Sequence, residues 1–189
     1  TISKVTGGKF ANGAASAAFV SILRQDWGNK SASHQRHGDV NNLDRADLKG
    51  VPDEVRKAIR TLIDSGNYEA AAHVAANYLG SSLSEASGGF EVDLSVISFG
   101  EVDFNIKLSL YKNAFESVST LISTVGHELV HIKQYNGQAI TDISLNKNSD
   151  LFYMNEIEAY QWELFNSKVT GLSDRGMNFV RDRMEHNRS

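Results

Sequence analysis

His127-Glu128-Leu129-Val130-His131 sits inside a long apolar-periodic run, Val118 to Tyr135. Val118, Leu121, Ile122, Val125, Leu129, Val130 and Ile132 recur at helical spacing, and Asn136-Gly137 supplies a stop signal. The run therefore predicts a helix, and two histidines four apart project from one face of it, about one turn from each other. Two imidazole nitrogens at that separation can hold one zinc ion, and the intervening Glu128 can then reach a water bound to it. For a chain with this His and Glu content, chance produces the pattern about once in a hundred sequences of this length. The competing reading is an amphipathic helix with two polar-face histidines.

A catalytic zinc commonly takes three protein ligands and leaves a position open. The chain has no Cys, so the third ligand is His, Glu or Asp. The longer pattern HExxHxxGxxH is absent: Gln134 stands three residues after His131, and no further His occurs before His186 in the charged tail. A downstream acid remains. Asn155-Glu156-Ile157-Glu158-Ala159-Tyr160 supplies two, on a helix expected over about 151–168 and ended by Gly171. The apolar side of that helix centres near Ile157, Tyr160 and Leu164. Glu156 and Glu158 flank this stripe on opposite sides, each about a quarter-turn away, and periodicity does not choose between them.

Upstream of the motif helix the period changes. Phe90, Val92, Leu94 and Val96 alternate, as do Val102, Phe104, Ile106, Leu108 and Leu110, with Gly100 between the two runs. This predicts a two-stranded antiparallel unit, with Asp93, Asp103, Asn105 and Lys107 on its solvated or substrate-facing side. Further back, Pro52 suits a helix first turn, Asp53 and Glu54 suit its N-terminal dipole, and Val55, Ile59, Leu62 and Ile63 recur at helical spacing up to Gly66. Asn67 then caps a second helix through Tyr78, closed by Gly80, giving an Ala-rich hairpin. A last helix is expected from near Ser173. Residues 1–50 read as a small-residue linker followed by an irregular segment, and residues 51–189 as one domain. His34 and His37 with Asp39 are a minor metal candidate, read more simply as solvated loop, and Trp27 and Trp162 read as packing residues.

Composition narrows the function. A net charge of −4 argues against a nucleic-acid partner, which wants a basic stripe. No apolar stretch approaches the length of a membrane span. The chain opens without Met or a basic leader, and is expected to be a piece of something longer or a processed product.

HExxH with a later Glu in an N-E-x-x-A context resembles the gluzincin zinc metallopeptidases over roughly Val118 to Leu164. The resemblance implies an α+β zincin-like fold: a small antiparallel sheet, the HExxH helix, and a neighbouring Glu-bearing helix. It implies zinc held by His127, His131 and Glu156, and Glu128 as the catalytic base; Glu158 stays the alternative ligand that the helix reading leaves open. The chain departs from the pattern after Ala159. Tyr160 stands where many gluzincins carry an Asp bonded to a ligand histidine, so that supporting role is unassigned. Separately, GGKFANGAASAAF at residues 7–19 resembles the segment joining the repeat core of Rhs-type polymorphic bacterial toxins to a C-terminal toxin domain. Residues 155–163 and 170–173 resemble metallopeptidase domains of such proteins. That implies a secreted effector delivered into a target cell, acting in its periplasm or cytoplasm, with an immunity protein as partner.

The expected activity is zinc-dependent hydrolysis of a peptide amide, in protein or in a cell-wall peptide. The strand expected over 102–110 would hold extended substrate at its edge. Tyr135, Tyr153, Tyr160 and His73 are candidate donors to the transition state. Two other readings stay open: a non-catalytic export or interaction module of a larger secreted protein, and a zinc hydrolase acting on a non-peptide amide.

Overall fold

A computed structural model describes residues 50–137 and 150–186. Among these residues the fold is mixed α+β, with six α-helices and a three-stranded sheet. The segment with Trp27, His34 and His37, and the loop expected over 138–149, lie outside the described residues.

The hairpin forms as its end signals require. Helix α1 (Asp53–Asp64) follows Pro52 as N-cap, with Asp53 and Glu54 in its first turn. Helix α2 (Tyr68–Tyr78) starts where the Asn67 side chain accepts the Ala70 N–H. Its buried stripe is Ala71, Ala72, Ala75 and Ala76. Methyl-sized side chains let α2 lie close to both α1 and the motif helix, and Ile59 and Leu62 of α1 fill the space beside them.

The sheet differs from the expected two-stranded unit. It holds β1 (Phe90–Asp93), β2 (Gly100–Val102) and β3 (Leu108–Tyr111) in the order β1-β3-β2. β2 and β3 are antiparallel, pairing Val102 with Leu108, whereas β1 lies parallel to β3, pairing Phe90 with Leu108. Both expected runs are cut by an aspartate that captures backbone amides. Asp93 Oδ1 accepts the Ser95 N–H at 2.9 Å and its hydroxyl at 2.6 Å, and β1 stops there. Asp103 Oδ1 accepts the Asn105 and Lys107 N–H groups at 2.8 and 2.9 Å, so the run 102–110 folds into a hairpin. Leu94, Val96 and Phe104, expected inside strands, are exposed.

Helix α3 (Val118–Gly137) is the centre of the molecule. Val118, Leu121, Ile122, Val125, Leu129 and Ile132 face the sheet and hairpin and are buried. The other side of α3, with Ser119, Ser123, Thr124, His127, Glu128, His131 and Gln134, is buried too. Helix α4 (Asp150–Phe165) covers much of it. The residues α4 buries are Asn155, Ala159 and Glu163, and the expected stripe of Ile157, Tyr160 and Leu164 is only half-buried. A polar helix face requires a hydrogen-bonding partner face, so α4 turns polar groups inward. The helix expected to continue to Lys168 breaks at Asn166, whose side chain donates to the Trp162 carbonyl at 2.8 Å. The short α5 (Ser167–Thr170) follows, Gly171 turns the chain at φ +72°, and α6 (Asp174–His186) packs on α4. No helix of the described residues is long and apolar enough to cross a membrane.

Candidate metal centre

Two glycines set the distances on which the site depends. At Gly126 a Cβ would stand 1.9 Å from the Trp162 ring, so the missing side chain is what lets α4 settle onto α3 one residue before the motif. At Gly100 a Cβ would stand 2.9 Å from Glu128 Oε1, so the bare backbone of β2 makes room for that carboxylate.

With α4 this close, His127, His131 and Glu156 each bring one ligand-type atom within 4.8 Å of the others. The two Nε2 atoms are 3.1 Å apart. Glu156 Oε1 is 3.2 Å from His131 Nε2, and its Oε2 is 3.8 Å from His127 Nε2. A tetrahedral zinc with bonds of about 2.0–2.1 Å separates its ligand atoms by about 3.3 Å, which fits these spacings. Glu158 is not at the histidines: it is exposed, and its Oε2 accepts from Gln134 Nε2 at 2.8 Å. Of the two carboxylates that periodicity left open, Glu156 is the one that lies beside both histidines.

Hydrogen bonds fix which way each imidazole presents its lone pair. His127 Nδ1 lies 2.8 Å from Glu163 Oε1. A carboxylate accepts, so Nδ1 carries the proton; Ser123 donates to the other Glu163 oxygen. His131 Nδ1 lies 2.8 Å from Gln134 Oε1. The Gln134 amide nitrogen donates to the Asn155 carbonyl and to Glu158, so its oxygen faces His131 as acceptor. Both Nε2 atoms therefore turn lone pairs toward each other and toward the Glu156 carboxylate. Such a set repels itself unless a positive charge stands between, and a metal cation or a proton supplies it.

The titration behaviour reflects the same crowding. Burial opposes charge on His127, yet the Glu156 and Glu163 carboxylates outweigh it and hold the imidazole well above its ordinary range. Burial likewise works against ionised Glu156, but the two histidines hold its carboxyl well below the usual range. Glu128 goes the other way: burial pushes it up to about 6 against the pull of both histidines. Its Oε2 is buried with no hydrogen-bond partner among the described residues. Glu128 lines a cavity of about 1040 Å³ that reaches from β2 past the three ligand-type residues to α6. A basic, unpaired carboxylate oxygen at that place suits taking a proton from water.

Of the other residues singled out in the sequence, Tyr135 and Tyr160 line this cavity. Tyr135 stacks on His131, and burial raises its hydroxyl to about 12. The Tyr160 ring lies 4.8 Å from that of His127. Tyr153 packs on Phe152, and His73 packs on Phe90, neither of them lining the cavity. Glu163 and Gln134 are the residues the sequence reading missed. Glu163, not the residue at 160, places a carboxylate against His127 Nδ1. Its signal was spacing, since it stands seven residues after Glu156 and so returns to the same side of α4. Comparison with protein families, with curated proteins and with solved structures finds no match to this chain.

Proposed function

We propose that the chain is a zinc-dependent peptidase of zincin-like architecture, with His127, His131 and Glu156 as metal ligands and Glu128 as general base. The observation that carries this reading is the convergence of three lone-pair donors beside a buried carboxylate oxygen that has no hydrogen-bond partner among the described residues. Zinc in such a donor set supplies a water of lowered pKa and polarises a carbonyl. Glu128 then takes the proton of the attacking water and returns it to the leaving amine. Glu163 and Gln134 hold the two imidazoles in the tautomer that would leave each Nε2 free to hold the ion. Extended substrate pairs along β2, whose residues Gly100, Glu101 and Val102 line the cavity at the edge of the sheet. This replaces the longer strand expected over 102–110.

The biological setting we propose is that of an antibacterial effector domain, supported by the resemblance of residues 7–19 to toxin junction segments. The test is a Glu128→Gln variant. It is expected to keep its zinc, to lose peptide hydrolysis, and to be harmless when produced in a bacterium that wild-type chain inhibits. Full toxicity or full hydrolysis in that variant contradicts the mechanism.

A further inference from the structure

Helix α6 closes one side of the cavity, and its charges are segregated. Arg175, Phe179 and Arg183 recur every four residues, share a face, and line the cavity. The acids of the same helix, Asp174, Asp182 and Glu185, do not line it. Three other cations of the described residues are used elsewhere: Lys107 pairs with Glu91, Arg56 with Asp53, and Arg181 bonds to Asn178. Arg175 and Arg183 form no ion pair among the described residues.

Arg183 is nevertheless held in place. Its guanidinium carbon lies 5.3 Å from the centroid of the Phe179 ring. Phe179 in turn meets Phe99, just before β2, with ring centroids 5.7 Å apart. The Arg183 charge also acts on Tyr160, the ring that lies against His127. A guanidinium fixed on an aromatic face keeps its hydrogen-bonding fork open at low entropy cost, an arrangement suited to a planar carboxylate. Most acids of the cavity do not answer this charge. Glu156 and Glu163 are engaged by histidines, Asp103 by the amides of its own loop, and Glu101 by Tyr111.

We propose that the Arg175–Phe179–Arg183 face of α6 is a substrate subsite for carboxylates, so that the chain takes peptides carrying Asp or Glu next to the bond presented to Glu128. The proposal rests on the peptidase reading above. Eight helical residues separate the two arginines by about 12 Å, the span of three to four residues of extended peptide, so two acidic positions can be met at once.

The test uses zinc-loaded Glu128→Gln chain and calorimetric titration with two blocked hexapeptide pools, one with Glu and the other with Gln at the same fixed positions. The Glu pool is expected to bind about tenfold or more tightly, with the gap narrowing as salt rises. Adding Arg183→Gln should abolish the gap, Arg175→Gln should reduce it, and Arg183→Lys should restore part of it. Arg181→Gln changes net charge equally but lies off the cavity, and should leave the gap intact. Equal binding of both pools, binding of neither, or an equal loss in Arg181→Gln overturns the subsite. Hydrolysis by chain retaining Glu128 separates the two readings. Preferential binding without cleavage of either pool keeps the subsite and removes the peptidase, whereas equal cleavage of both pools does the reverse.

Discussion

The two histidines of the centre are oriented by different chemistry. Behind His127 stands an anion: Glu163, buried, with Ser123 on its second oxygen. Behind His131 stands a neutral amide, Gln134, whose own orientation depends on the Asn155 carbonyl and on Glu158 at the surface. Charge-assisted hydrogen bonds are roughly twice as strong as neutral ones. The Glu163 side therefore raises the basicity of its imidazole, while the Gln134 side chiefly fixes a tautomer. A fourth carboxylate, placed behind His131, would add negative charge to a pocket that already holds Glu128, Glu156 and Glu163. The difference teaches that one imidazole is tuned electrostatically and the other is oriented by a neutral hydrogen bond, and substitutions should separate the two.

The largest effect is expected from Glu163→Ala, which leaves the His127 Nδ1–H and the Ser123 hydroxyl unpaired in a buried site. Competition with a chelating indicator should show zinc affinity lower by about 100-fold, the upper end for loss of a supporting partner. Gly126→Ala should come next, because it pushes Trp162 and the whole of α4 off α3. Denaturant unfolding should show about 1–3 kcal/mol of lost stability, typical of overpacking. Gln134→Ala removes a neutral partner and should lower zinc affinity by about tenfold. Glu158→Gln should matter least, within about threefold, since the residue is exposed and Gln134 keeps its bond to the Asn155 carbonyl. An affinity loss in Gln134→Ala as large as in Glu163→Ala would erase the asymmetry.

The same asymmetry explains what the sequence did and did not reveal. The α1–α2 hairpin and the start of α6 were legible because caps and glycines act locally: Asn67, Gly66 and Ser173 sit where their chemistry requires. The motif helix was legible because its apolar side meets apolar neighbours. The face of α4 was misread because apolar periodicity cannot detect a helix that buries Asn155 and Glu163 against another polar face. The sheet was misread because alternation ran on through Leu94 and Phe104 while Asp93 and Asp103 diverted the backbone. Those turns carried a signal, Asp-x-Ser and Asp-x-Asn, which period-counting overlooks. His127, His131 and Glu128 were legible as a motif. Glu163 and Gln134 were not, because their roles exist only once α4 and α3 are packed.

Zinc content after dialysis against a weak chelator tests the central claim most directly, measured on the wild-type chain and on Glu156→Ala and Glu158→Ala variants. The account predicts about one zinc per chain in wild type and in Glu158→Ala, and little or none in Glu156→Ala. A wild-type chain without zinc, or a chain that keeps the ion when Glu156 is removed and loses it when Glu158 is removed, would contradict it.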